Sequence, residues 1–377
     1  MPRRIMIRDY PHRMGGHCGS GAMRDLLHWH GLGWDGPPDE GLVFVLGGAL
    51  GLSYLRSSEL FPPLYLVGRG ADFEVDLPAR LGGLVHVLTT DDPEAGWSWV
   101  RDELDAGRPS LVWGDIAELP YLRVQLQMSR HDIVVIGYDE EKKLAFVVDN
   151  DRAEVQEVPF EALARARSST AFPQPTRHCT YRITWPRSLP AIAEIAADAF
   201  SQSAANMRDP SAHSIAEPTT AAVGAEGMEA VSLVAEDVAN WAELPDNELE
   251  ILLFSLGAFI EKAGTGGGLF RRLVADGCAE VARLTGDPAT ADLANEAAHC
   301  AQTWTDAARA AVKREADPRS RVDDVASIVG RLPELESRLV ESLEAAATSL
   351  AADHWPAPAV ASTDGTEIVI EAGGEVE

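Results

Sequence analysis

Gly15-Gly16-His17-Cys18-Gly19-Ser20-Gly21-Ala22-Met23-Arg24-Asp25-Leu26-Leu27 is the stretch on which the reading of this chain turns. A glycine loop delivers one cysteine to the first turn of an amphipathic helix, predicted over 20–30 and closed by Gly31. Free N–H groups and the positive dipole end at a helix start favour thiolate over thiol. The same groups can later hold the oxyanion of a tetrahedral intermediate. Alone, such a cysteine near a helix start is usually a small buried residue.

A thiolate nucleophile needs an imidazole to hold its proton and a third group to orient that imidazole. His131 opens His131-Asp132-Ile133-Val134-Val135-Ile136-Gly137-Tyr138, a polar residue at the mouth of an apolar strand. The polar run 139–143 reads as a turn, and the returning strand ends Val148-Asp149-Asn150. Antiparallel pairing then brings Asp149 to the level of His131, where cross-strand neighbours lie about 4.5–5.5 Å apart. Each residue alone also fits a structural part, a strand-end histidine and a turn former.

Further candidate strands lie at 64–67, 84–88, 110–113, 133–138, 144–148 and 179–184, with a second helix over 93–106 before Gly107. This half is α/β or α+β. From Pro190 the composition turns to alanine, leucine and glutamate at helical spacing, predicting helices over 190–200, 226–241, 246–262, 267–284, 289–311 and 319–353. The Ser, Ala, Pro and Thr of 201–223 read as a mobile connection. The expected division is a catalytic domain over 1–187, a helical domain over 188–353 and an acidic, disordered tail over 354–377.

Composition limits the functions available. The chain has 377 residues, with 32 Lys and Arg against 59 Asp and Glu, for a net charge of −27. Such a field repels polyphosphate, which excludes nonspecific nucleic-acid binding and docking on anionic lipid. No apolar run approaches the roughly 18 residues of a membrane span and no signal peptide is evident, so the expected location is cytoplasmic. Cys18, Cys179, Cys278 and Cys300 form no CxxC pair, which predicts neither a disulfide framework nor a zinc ribbon. His17-Cys18 and His299-Cys300 lack tetrahedral metal spacing, and no metal is expected. The glycines of 264–268 are followed by no Lys-Ser or Lys-Thr, as a nucleotide P-loop would require.

Cys at a helix start, His opening a strand and an acid closing the next strand is the chain order of papain-like and C39-like cysteine peptidases. More narrowly, His17-Cys18-Gly19-Ser20, Gly47-Gly48-Ala49-Leu50-Gly51, Gly68-Arg69, Leu119-Pro120-Tyr121-Leu122, Ile136-Gly137-Tyr138-Asp139 and Ala166-Arg167-Ser168 resemble the N-terminal domain of the butirosin biosynthesis protein H family. The second half is similar to the helical domain that follows there, with Gly264-Thr265-Gly266-Gly267-Gly268-Leu269-Phe270-Arg271 resembling its signature. The fold implied is α+β, a papain/C39-like cysteine-peptidase-type fold followed by an all-helical domain.

The function the resemblance implies is acyl transfer in antibiotic biosynthesis. An acyl group leaves the phosphopantetheine thioester of an acyl carrier protein, rests on Cys18, and passes to a small-molecule amine. Cys18 is then nucleophile, His131 general base and acid, and Asp149 orienter; no cofactor beyond the carrier's phosphopantetheine is implied. Arg69, Asp115 and Tyr121 match family positions as substrate contacts, and equally fit buried polar residues that hold loops together. Thr265, Gly266 and Phe270 belong to a loop expected to close over the Cys18 cleft and shape the acyl or acceptor pocket. A cyclase, thioesterase or peptidase on the same fold, or a non-catalytic binding module, stays open, as does a homo-oligomer formed through the helical half. Two departures stand out. Met128-Ser129-Arg130 precede His131 where glycines are expected, and His12 stands near where C39-like peptidases carry an oxyanion-hole glutamine.

Overall fold

The computed structural model describes residues 2–70, 72–210, 223–314 and 316–353. The expected tail over 354–377 and most of the expected connection over 201–223 lie outside the described residues.

In chain order the first half comprises β1 (Arg4–Met6), α1 (Cys18–Trp29), α2 (Glu40–Leu46), β2 (Leu50–Arg56), β3 (Leu64–Arg69), α3 (Phe73–Arg80) and β4 (Leu84–Leu88). It continues with α4 (Pro93–Asp105), β5 (Ser110–Gly114), β6 (His131–Asp139), β7 (Leu144–Val148), β8 (Gln156–Pro159), α5 (Phe160–Arg167) and β9 (Thr180–Thr184). Seven strands form one antiparallel sheet in the order β4-β9-β5-β6-β7-β8, with β1 pairing β6 beyond β5. The mixed helix and sheet content is that of an α+β protein. Central β6 is buried from Asp132 to Asp139, which explains its near-continuous β-branched run. On α1, Met23, Leu26 and Leu27 are buried at helical spacing, and the helix packs on β6. That packing holds the start of α1 over the mouth of β6.

The second half supplies α6 (Ile192–Arg208), β10 (Val223–Glu226), α7 (Gly227–Asn240), α8 (Asp246–Glu261), α9 (Arg271–Thr285), α10 (Pro288–Ala311), α11 (Pro318–Val329) and α12 (Leu332–Asp353). Three corrections to the sequence reading emerge. The second half is not all-helical, because β10 pairs β2 in a three-stranded sheet β10-β2-β3 that both halves build. Residues 201–208 continue α6, since Ser203, Ala204 and Met207 keep its helical face buried. The single helix expected over 319–353 is two: Pro333 has no N–H and its ring would meet the Val329 carbonyl, so α11 ends there and α12 restarts with proline in its first turn.

The two halves are sewn together. Arg271 and Glu336, both fully buried, pair at 2.8 Å, and Arg271 also donates to the carbonyls of Gly51 and Gly68, joining α9 and α12 to β2 and β3. Arg56 and Tyr54 of β2 meet Asp237 of α7 at 2.6 Å and 2.5 Å. Among the described residues no helix is long and apolar enough to cross a membrane.

Candidate active site

The glycine loop is fixed by one carboxylate. Glu40, first residue of α2, accepts from the amides of Gly16 and His17, each at 2.8 Å, and from the Ser20 hydroxyl at 2.9 Å. His17 is the N-cap of α1: its backbone is extended, and its Nδ1 accepts from the Ser20 amide at 3.2 Å. An imidazole thus fills the place usually taken by a short polar side chain. Cys18 follows as the first helical residue, partly exposed, with its amide among those lacking an intrahelical acceptor.

At the mouth of β6, His131 Nε2 and Asp149 Oδ2 are 2.7 Å apart. Val134 pairs Val148 across the ladder, so Asp149 falls opposite Ile133 and reaches His131 diagonally. This offset replaces the direct cross-strand pair read from the sequence. Asp149 also accepts from the Tyr121 hydroxyl at 2.7 Å and the Asp151 amide at 3.0 Å. With Nε2 engaged, Nδ1 is the ring nitrogen left for the sulfur.

The electrostatics are those of an ion pair. Burial alone would push the Cys18 thiol up, but the neighbouring imidazoles of His17 and His131 hold it well below its usual range. Burial likewise opposes charge on His131, and is outweighed by the charge and hydrogen bond of Asp149 and by Cys18, which hold it well above the ordinary imidazole value. For Asp149, burial raises the carboxyl and the His131 charge and hydrogen bond bring it below its usual value. The other thiols are silenced by burial, that of Cys179 being pushed up to about 12.

The remaining sequence candidates divide. Arg69 lies within electrostatic reach of Cys18, Glu74 and Asp132, and donates to the Gly70 carbonyl at 2.9 Å. Tyr121 spends its hydroxyl on Asp149, so it steadies the orienter instead of offering that group to a ligand. Asp115 is fully buried and tied to the Ala117 and Met128 amides and the Ser169 hydroxyl, which fixes the segment leading to His131. The 264–268 loop does reach the cysteine loop: the Gly266 amide donates to the Gly16 carbonyl at 2.9 Å. Thr265 and Phe270, however, face inward. Thr265 Oγ1 donates to the Ile260 carbonyl at 2.8 Å, and the Phe270 ring lies 5.2 Å from the His17 ring, edge to face. Phe270 thereby braces the imidazole beside Cys18 and is not placed to line a pocket.

Sequence reading missed Glu40, Glu74, Arg130 and Asp132. Arg130 explains the missing glycine before His131. Its φ of +62 is the left-handed backbone that glycine adopts freely, at a cost of about 1–2 kcal/mol to other residues. Offsetting this, its guanidinium lies 3.6 Å from Glu74 and 5.0 Å from the Trp113 ring. No group of three His, Cys, Asp or Glu among the described residues is arranged to hold a metal ion.

Comparison with known proteins places two parts of the chain in described families. Residues 17–150 match the family model described as "Butirosin biosynthesis protein H, N-terminal". Residues 161–343 match "Domain of unknown function (DUF4872)". No curated protein matches the chain.

Proposed function

We propose that this chain, whose residues 17–150 are of the butirosin biosynthesis protein H N-terminal type, is a cysteine acyltransferase of antibiotic biosynthesis built on a papain-like catalytic unit. The observation that carries the reading is a Cys at a helix start beside a His that is 2.7 Å from a buried Asp. The Cys18 thiolate attacks the thioester carbonyl of an acyl carrier protein, and the carrier's thiol leaves with a proton from His131. An amine then attacks the acyl-Cys, His131 takes its proton, and the C–S bond breaks to release the amide and the Cys18 thiolate, while Asp149 stabilises the imidazolium and keeps the ring oriented. No cofactor beyond the carrier's phosphopantetheine enters these steps, and a cytoplasmic setting suits substrates of this kind.

The test is partition of the acyl group. Acyl-carrier protein is incubated with the protein, with and without an amine acceptor, and released products are identified by mass. Amide that forms only when the amine is present supports transfer. Free acid or lactam formed equally in both would instead support the thioesterase or cyclase chemistry of the same nucleophile. No release, and no acyl group on Cys18, would leave a binding module.

A further inference from the structure

Asp132 follows His131 in the chain and is 1 % exposed, with Oδ2 3.7 Å from Cys18 Sγ. Glu74 of α3, fully buried, stands beside it. A Cβ on Gly19 would meet both carboxyls, at 2.7 Å from Glu74 Oε1 and 3.2 Å from Asp132 Oδ2. Apart from each other and the Arg130 guanidinium 3.6 Å from Glu74, neither Glu74 oxygen nor Asp132 Oδ1 has a side-chain hydrogen-bonding partner among the described residues. Two carboxyls this close and this dry cannot both ionise, so one proton remains between them. The charges decide where it sits. Burial raises Glu74, but Arg69 and Arg130 hold it ionised; burial, then the charges of Glu74 and Cys18, push Asp132 well up. With Asp132 neutral, the anions Glu74 and Cys18 stand among the cations Arg69, Arg130 and His131, and the His17 imidazole also acts on Cys18. Cys179, just before β9, and Tyr181 of β9 are also in electrostatic contact with Asp132 and are uncharged.

The site also needs a donor. His12, the side chain in the neighbourhood where a glutamine would serve the oxyanion, has both nitrogens taken, by Asp25 at 2.9 Å and the Arg152 carbonyl at 2.7 Å. A neutral carboxyl 3.7 Å from Sγ leaves room for the oxygen of a sulfur-bound acyl group to lie at the roughly 2.7–3.1 Å that such donors require.

We propose that Asp132 stays protonated beside the Glu74 anion and turns this O–H from Glu74 to the oxyanion formed when Cys18 attacks a thioester; this rests on the acyl-transfer reading above. As the S–C bond forms, the carbonyl electron pair moves onto oxygen, which accepts from Asp132 and from the amides at the start of α1. As the pair returns, the carbon–sulfur bond to the donor breaks and the leaving sulfur takes its proton from His131. Asp132 finishes with the proton it began with.

The probe is a butyryl thioester of N-acetylcysteamine, with Cys18 acylation followed by intact mass. Alkylation by iodoacetamide, which forms no oxyanion, runs in parallel. Asp132→Ala should slow acylation by about 10²–10³-fold, and Asp132→Asn, which retains an N–H donor, by less than about tenfold, with alkylation close to wild type in both. Glu74→Gln removes the anion that keeps the proton on Asp132 and leaves Arg69 and Arg130 to favour its ionised form. Acylation should then fall as pH rises through the carboxylate range, a dependence wild type lacks. This variant and Asp132→Asn carry the test if Asp132→Ala does not fold. An infrared carbonyl band of a neutral carboxylic acid should be present in wild type at neutral pH and lost in Asp132→Asn. Acylation of Asp132→Ala at the wild-type rate, or absence of the band, overturns the inference. So does faster alkylation of both Asp132 variants at low pH, which would mean that an anion had been removed. If wild type shows the band and is alkylated but never acylated, the acyl-transfer reading has failed and the donor role fails with it.

Discussion

Gly16→Ala probes the contact through which the second half reaches the nucleophile. The new Cβ would stand 2.5 Å from Gly266 Cα, where an ordinary contact is 3.4–4 Å. The two backbones must therefore part by about 1 Å, which breaks the 2.9 Å hydrogen bond from the Gly266 amide to the Gly16 carbonyl. Overpacking costs about 1–3 kcal/mol and the lost bond about 0.5–1.5, together about 2–4 kcal/mol. A protein of ordinary stability, about 5–15 kcal/mol, survives this. Its melting temperature should fall by roughly 4–16 °C at about 2–4 °C per kcal/mol. Because Cys18 is two residues away, the shift reaches the nucleophile, and about 1 Å of misplacement can cost on the order of 10²-fold in rate. Gly264→Ala is the control. Its φ is left-handed at +67, unlike that of Gly16, and nothing lies within 4 Å of the new Cβ, so it should lose only about 1–2 kcal/mol and transfer normally. Thermal unfolding and single-turnover acyl transfer measure the two effects. Gly16→Ala with both melting temperature and transfer unchanged would refute the contact.

Cys18 should be alkylated by limiting iodoacetamide while Cys179, Cys278 and Cys300 stay unlabelled. Its rate should hold as pH falls below the usual thiol range, because its thiol is held low; equal labelling of all four on peptide mapping would contradict this. His131→Ala should abolish turnover, whereas Asp149→Asn should leave measurable activity, since an amide can orient the ring but supports imidazolium poorly. In unfolding against pH, the raised His131 contributes stability that is complete below its ordinary value of 6.5 and lost as pH rises through the folded value. The lowered Asp149 contributes stability present above 3.8 and lost as pH falls through its folded value. His131→Ala should accordingly flatten the alkaline limb and Asp149→Asn the acid limb. Glu336→Ala strands the Arg271 charge, fully buried, and should cost about 3–5 kcal/mol in denaturant unfolding.

How far the sequence carried depends on range. The start of α1, the hairpin of β6 and β7 and most helices were legible because local pattern dictates them: glycine before a first turn, alternation across a turn, apolar spacing of 3.6. The pairing of His131 with Asp149 followed from hairpin geometry, although a two-residue register offset makes it diagonal. What escaped was set by distant partners. The strand β2 was read as a glycine motif, and it owes its order to β3 and to β10 from 170 residues later. Glu74 lies in a short helix that Pro78 disguises, and its meeting with Asp132 joins segments that no periodicity links. Thr265 and Phe270 looked like ligand contacts because they flank glycines, yet packing against Ile260 and His17 turns them inward.

The central claim is that Cys18 carries the acyl group. Wild type and Cys18→Ser are incubated with acyl-carrier protein in the absence of acceptor, quenched in acid, and weighed as intact proteins before peptide mapping. Wild type should gain the mass of one acyl group, mapped to the peptide holding Cys18 and removed by neutral hydroxylamine, while Cys18→Ser gains none. Transfer product formed by Cys18→Ser at the wild-type rate, or an acyl mass on any other residue, would contradict it.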